Sequence, residues 1–167
     1  MITSGINFKN FKTKVKTKIL VKKQLNFLIK ENNHVLQSLS SNYKNSFDKK
    51  KLKKFKKFNN FRVIGMGGSI LGTQAIHDFL DNKINKNFLF INNLQATQKK
   101  NKEKKFTNLI VSKSGNTIET IANVNVLIKK KDKNIFITEN NNSYLYLLAK
   151  KLKAEIIHHN NFIGGRY

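Results

Sequence analysis

The sequence predicts an α/β fold, a parallel sheet of about five strands with helices on both faces. Three observations carry this. From Phe61 onward, short apolar runs rich in β-branched and aromatic residues alternate with stretches of helical spacing. The runs read as buried strands, and buried strands joined by helices imply a parallel sheet. Two of them end in glycine- and serine-rich turns, at the strand carboxyl ends where such sheets bind ligands.

Residues 1–60 differ in texture and read as a lysine-rich helical lead-in. One helix-like piece holds Ile19, Leu20, Leu25, Phe27, Leu28 and Ile29, and a second holds Val35, Leu36 and Leu39. A third places Leu52, Phe55 and Phe58 at i, i+3 and i+6 among lysines. Apolar stripes at that spacing mark amphipathic helices packed on a larger body. The run Lys49–Lys57 reads as a solvated helix face, with a nucleic-acid or membrane-surface patch as the alternative.

The alternating region then runs in order. Phe61–Met66 is a strand and Ser69–Leu80 a helix. Phe88–Ile91 is the second strand, followed by a polar, lysine-rich connection with room for a short helix. Phe106–Val111 is the third strand. Thr117–Lys130 is a helix whose Ile118, Ile121, Ala122, Val124 or Asn125, and Ile128 face a core. Asn134–Thr138 is a strand, Ser143–Leu152 a helix and Ala154–His158 the fifth strand. The division is therefore 1–60 as lead-in and 61–167 as the α/β domain.

At 167 residues the chain is about one ordinary domain long. Its 33 basic and 9 acidic residues give a net charge of +24, which by itself suggests a polyanionic partner. The distribution argues otherwise. Only Arg62 and Arg166 are arginines, the residue that reads phosphate and guanine in two-point contacts; the lysines are scattered end to end. Proline, cysteine and tryptophan are absent while Lys, Asn, Ile and Phe crowd the chain, as A/T-biased coding would favour. No specific nucleic-acid partner is expected. Without cysteine there is no disulfide, thiol chemistry or Cys-based metal site. No apolar run approaches the roughly 20 residues of a membrane span, and residues 1–9 lack a signal-peptide core, so a cytoplasmic protein without a membrane partner is expected.

Three segments carry candidate chemistry. In Gly65-Met66-Gly67-Gly68-Ser69-Ile70-Leu71-Gly72, glycines permit a sharp turn and close ligand approach, and Ser69 offers a hydroxyl at a helix start. The turn lacks the spacing of a dinucleotide fingerprint, and the next strand ends in Asn92-Asn93 with no ribose-binding acid. The competing reading is close helix–strand packing with Ser69 as N-cap. The second segment, Ser112–Thr117, offers the hydroxyls of Ser112, Ser114 and Thr117, a tight turn at Gly115 and the charge of Lys113. Placed at a helix start, it suits a small anion, above all a phosphate. Asn116 with Glu119 also fits an N-cap and capping-box pair, so Glu119 is open between capping and function. The third, Phe162–Tyr167, brings Gly164 and Gly165 before Arg166; an ordinary surface arginine is its other reading.

Together these segments resemble the glucose-6-phosphate isomerase family. Its first sugar-isomerase domain carries a V-x-G-x-G-G-S-x-L-G turn, then S-K-[ST]-x-[TN]-T-x-E-T, then V-G-G-R-[YF]-S. Val63–Gly72, Ser112–Thr120 and Ile163–Tyr167 match in that order. The resemblance covers residues 60–167 and implies a three-layer αβα sandwich with a flavodoxin-like sheet, the sugar-isomerase (SIS) fold. It implies that Gly68 and Ser69 line a hexose 6-phosphate site. Ser112, Lys113, Ser114, Gly115, Asn116 and Thr117 would cradle the phosphate, with Asn116 where many members have Thr. Arg166 would stabilise an enediolate. Glu119 matches a glutamate near the ring-opening group. The family's reaction, interconversion of glucose 6-phosphate and fructose 6-phosphate, needs no metal or organic cofactor, and its members commonly dimerise.

The family's general-base Glu, ring-opening His and C-terminal Lys segments have no counterpart here; His34, His77, His158 and His159 match none of its motifs. The chain reads as an N-terminal portion, truncated within the Gly-Gly-Arg-Tyr motif and inactive alone. A non-catalytic sugar-phosphate-sensing module of the same fold is one alternative, though such modules lack Gly-Gly-Arg and adjoin a helix-turn-helix not evident in 1–60. A polyanion- or RNA-binding protein is the other.

Overall fold

A computed structural model describes residues 15–31, 33–94 and 105–164. The chain divides into two compact units, residues 1–43 and 44–167.

The first unit contains α1 (Val15–Lys30) and the single turn α2 (His34–Gln37), which starts on Asn33, whose side chain accepts from the Val35 N–H at 2.9 Å. Within this unit Ile19, Leu20, Leu25, Phe27, Leu28 and Ile29 are all exposed. Ile19 and Leu25 point roughly 120° apart on an α-helix, so these residues share no single stripe.

The second unit opens with α3 (Lys49–Lys53), capped by the Asp48 carboxylate on the Lys50 N–H at 2.8 Å. The backbone then tightens: Phe55 N–H bonds Leu52 O at 3.0 Å and Phe58 N–H bonds Phe55 O at 3.1 Å. Side chains three residues apart eclipse in such turns, which explains a strict spacing of three. Leu52, Phe55 and Phe58 are half-buried while the lysines between them are exposed, as a solvated face requires.

Five strands follow: β1 (Asn60–Ile64), β2 (Asn87–Ile91), β3 (Thr107–Val111), β4 (Lys133–Thr138) and β5 (Glu155–His158). All pair in parallel, in the order β2-β1-β3-β4-β5. This is the flavodoxin-like doubly wound order. Helix α4 (Gly68–Phe79) links β1 to β2, α5 (Ile118–Leu127) links β3 to β4, and α6 (Tyr144–Lys151) links β4 to β5. The first crossover runs opposite to the other two along the sheet. Right-handed crossovers therefore place α4 on one face and α5 and α6 on the other, making three layers.

The main core lies under α5 and α6. Ile64, Ile91, Ile110 and Phe136 from four strands meet Val124, Leu145 and Ala149 from the two helices, all buried. On the opposite face Ile70 of α4 is buried, as is Val63 of β1. The outward side of α4 is also apolar, with Leu71, Ile76 and Phe79 exposed, the last by 84%.

Several sequence expectations shift. A 3₁₀ turn at Asp81–Lys83 follows α4. Helix α5 ends at Leu127 rather than Lys130, because Lys129 and Asp132 close a turn in which the Asp132 carboxylate accepts the Lys129 N–H at 2.8 Å. Ile118 is 77% exposed instead of facing the core. It opens the first turn of α5, and the buried positions are Thr120, Asn123 and Val124. Of the two candidates at that turn, Val124 rather than Asn125 faces inward. The short helix expected after Asn93 falls on residues 95–104, outside the described residues.

Arg62 occupies the end of the sheet away from the candidate turns. Its guanidinium donates to Leu127 O at the C-terminus of α5, at 3.2 Å, and stacks 4.8 Å from the Phe106 ring centre. A cation suits a helix C-terminus. Burial pushes its pKa below the ordinary value, and the charge of Asp132 opposes that shift.

Candidate functional site

Strands β1 and β3 are neighbours, with Ile64 opposite Ile110. The chain leaves β1 towards β2 and leaves β3 towards β4, so the order reverses between them. That reversal opens a crevice at the carboxyl ends, where doubly wound sheets bind ligands. Both turns singled out by sequence flank it.

At the first turn, Gly65 is buried against β3: a Cβ there would lie 3.0 Å from Val111 O and 3.4 Å from the Ile70 Cβ. Close packing therefore accounts for this glycine. Gly67 has φ +53°, open space around it, and forms the N-cap of α4. Ser69 is thus not the N-cap: it is the second residue of the helix, half-buried, and its N–H bonds Met66 O at 3.2 Å. The glycine turn reaches the helix two residues earlier than a cap at Ser69 allows, because a positive φ at Gly67 reverses the chain at little steric cost. Gly68 is exposed at the first position of α4. No side-chain cap occupies the first-turn N–H groups of α4.

The second turn is bonded from within and from behind. Ser112 is 2% exposed; its hydroxyl accepts the Gly115 N–H at 3.2 Å and lies 3.2 Å from the Thr117 hydroxyl. Ser114 Oγ accepts the Asn116 N–H at 3.3 Å. From behind, Lys113 O accepts the Glu139 N–H at 3.0 Å and the Thr138 hydroxyl at 3.3 Å. Ser114 O accepts Asn141 Nδ2 at 3.5 Å, and Gly115 O accepts the Leu145 N–H at 3.0 Å. Three consecutive carbonyls thus face the β4–α6 loop. In a trans peptide the next N–H points the opposite way, so the N–H groups of Ser114, Gly115 and Asn116 are turned away from that loop.

Gly115 is required here. Its φ is +68°, and a Cβ would meet Ser143 Oγ, Ser143 Cβ at 2.7 Å and Thr138 Oγ1 at 2.9 Å. Asn116 is not the N-cap of α5; Thr117 is, with no side-chain cap bond. The Asn116 carboxamide oxygen instead accepts the Tyr144 N–H at 2.9 Å, at the start of α6. The capping-box reading of Glu119 falls with it. Among the described residues Glu119 makes no hydrogen bond or ion pair, and it stands half-buried in the first turn of α5. Lys113 pairs with Glu139 at 3.4 Å, so part of its charge is already answered. The buried Thr120 hydroxyl in the same turn has no partner among the described residues.

Arg166 and Gly165 lie outside the described residues, and Gly164 is the last residue described. Neither His77 nor His159 joins the turns. The His77 ring packs edge-on against Phe88 and Phe90, and His159 bonds the backbone of Thr138 and Asn160. Among the described residues no group of three or more His, Asp or Glu side chains is arranged to hold a metal, and no helix is long and apolar enough to cross a membrane.

A cavity of about 390 Å³ opens near the amino ends of β4 and β5, lined by Lys54, Phe55, Phe58, Lys130, Lys133 and Glu155 among others. It lies at the end of the sheet opposite the turns. Its lysines are of the kind this composition spreads over the whole surface, and Lys54 is paired with Glu155 at 2.5 Å.

Fold and site together define a doubly wound α/β domain with a glycine- and hydroxyl-rich turn at its switch point. A hypothetical protein of Thermus thermophilus shares this fold, with a TM-score of 0.60 over 91% of this chain and 43% of its own, at 18% identity. No protein-family model matches. Curated relatives do. The glucose-6-phosphate isomerase of Methanocaldococcus jannaschii is 36% identical over 131 residues, 70% of this chain and 32% of that protein. That of Borreliella afzelii is 34% identical over 134 residues, 67% of this chain and 24% of that protein, and that of Borrelia garinii is 40% identical over 88 residues, 45% of this chain and 16% of that protein. Over about two thirds of its length the chain is related to the glucose-6-phosphate isomerases, and it spans about a quarter to a third of the length of the first two relatives.

Proposed function

We propose that residues 61–167 form the first sugar-phosphate-binding domain of an isomerase that interconverts glucose 6-phosphate and fructose 6-phosphate, with 1–60 as a helical lead-in. One observation carries the reading: the Ser112–Thr117 turn stands at the sheet's switch point with successive N–H groups turned away from the β4–α6 loop that holds its carbonyls. Such a turn ahead of a helix suits the dianionic phosphate of a hexose phosphate.

In this reading Ser112, Ser114, Gly115 and Thr117 hold the phosphate through hydroxyl and backbone groups, and Lys113 adds charge beyond its pairing with Glu139. Gly68 and Ser69 line the sugar side of the crevice. Isomerisation moves a proton between C2 and C1 through a cis-enediol(ate), and Arg166 offsets the developing oxyanion charge. Glu119 stands near the ring-opening end. The chemistry is proton transfer and calls for no metal or organic cofactor. The whole enzyme works in the cytoplasm as a homodimer.

Isothermal titration of the 167-residue chain with glucose 6-phosphate tests this. Weak binding is expected, shared by inorganic phosphate, with no turnover. Ser112→Ala removes the acceptor for Gly115 N–H and is expected to weaken both anions by about tenfold, the worth of one or two hydrogen bonds. Failure to bind either anion, or isomerase activity from this chain alone, would overturn the respective half of the reading.

A further inference from the structure

Helix α6 has no cap of its own. Ser143 is its N-cap residue, yet its hydroxyl makes no cap bond; it is buried without a partner among the described residues, in the space beside Gly115 that a side chain there would need. The first N–H groups of a helix need acceptors from elsewhere. Here the proposed phosphate turn supplies them. Tyr144 N–H is taken by the Asn116 side chain at 2.9 Å and Leu145 N–H by Gly115 O at 3.0 Å. The Tyr144 hydroxyl also donates to Asn125 Oδ1 on α5 at 2.9 Å, so one residue is tied to the start of α5 and to its later turns.

We infer that Asn116 is a positioning residue and that the N-terminus of α6 sets the anion affinity of the turn. The helix grips Gly115 O and the Asn116 side chain, fixing the Gly115–Asn116 peptide so that its N–H and the Ser114 hydroxyl it bonds stay on the side away from the loop, where the ligand would bind. Asn116 acts through Tyr144 and not by touching the phosphate. The inference rests on the sugar-phosphate reading for its ligand and on the observed geometry for its mechanism.

The test removes one N–H without altering the turn. Proline is well tolerated at the first position of a helix, and Ser143 at φ −70° and ψ 157° already has the conformation favoured before proline. Tyr144→Pro and Tyr144→Ala both lose the ring and its hydroxyl, and only the proline variant loses the N–H bonded to Asn116. Binding of inorganic phosphate and glucose 6-phosphate is measured for both, alongside thermal unfolding and amide exchange.

Tyr144→Pro is expected to bind both anions about three- to tenfold more weakly than Tyr144→Ala, with faster exchange at Gly115 and Asn116. Asn116→Ala should match the proline variant. Equal binding by the two Tyr144 variants would overturn the inference. So would a loss on Asn116→Ala far exceeding that on Tyr144→Pro, which would place Asn116 on the phosphate itself. If the unaltered chain binds neither anion, the sugar-phosphate reading fails, and exchange at Gly115 and Asn116 still decides the grip: identical rates in the two Tyr144 variants would overturn it.

Discussion

The two turns at the switch point sit on neighbouring strands and begin helices of similar length, but they are held by opposite means. The Gly65–Ser69 turn owes its path to its own backbone, a positive φ at Gly67 and a Gly65 pressed on β3. The Ser112–Thr117 turn owes its path to another part of the chain. Its carbonyls and one side chain are taken up by residues 138–145, more than twenty positions further on. One turn is shaped by its own dihedral and a close contact with β3, the other by hydrogen bonds from β4, its following loop and α6. The proposed anion site is therefore preorganised only once β4 and α6 are in place.

Alanine at three glycines separates these modes, read as unfolding free energy in urea. Gly115→Ala should cost the most, about 3 kcal/mol or more, because left-handed backbone and collision with Ser143 act together. A cost near that of Gly67→Ala would mean that Ser143 moves aside freely. Gly65→Ala comes next at about 1–2 kcal/mol, since the backbone oxygen of Val111 has little room to retreat. Gly67→Ala carries backbone strain alone in open space, at φ +53° and ψ −126°, and is expected to cost about 1–2 kcal/mol, no more than Gly65→Ala. If Gly67→Ala exceeded Gly65→Ala, the first turn would be limited by its dihedral and not by its contact with β3.

Much of the sheet was legible because buried parallel strands leave apolar runs and their helices leave a 3.6-residue period. The strand order became readable only through the family resemblance, since nothing in a run such as Phe88–Ile91 says which neighbour it joins. For the candidate site residues, two cap readings that local chemistry offers do not hold. Ser69 and Asn116 are good caps by chemistry, yet Gly67 and Thr117 occupy the cap positions. Cap propensity is local, whereas Asn116 is claimed by Tyr144, 28 residues away. No short-range pattern carries that bond. The exposure of Ile118 was hidden for a related reason: a period fixes which residues share a face, and only the packed helix shows how far that face extends toward its ends.

The outward side of α4, with Leu71, Ile76 and Phe79 bare to solvent, sits on a chain of net charge +24. The pairing has a colloidal consequence. At low ionic strength, like charge keeps two copies apart before their apolar helices can touch. As salt shortens the screening length to about 3 Å near 1 M, that opposition vanishes and the hydrophobic attraction remains. Light scattering is therefore expected to show the chain dispersed in dilute buffer and self-associating in molar salt.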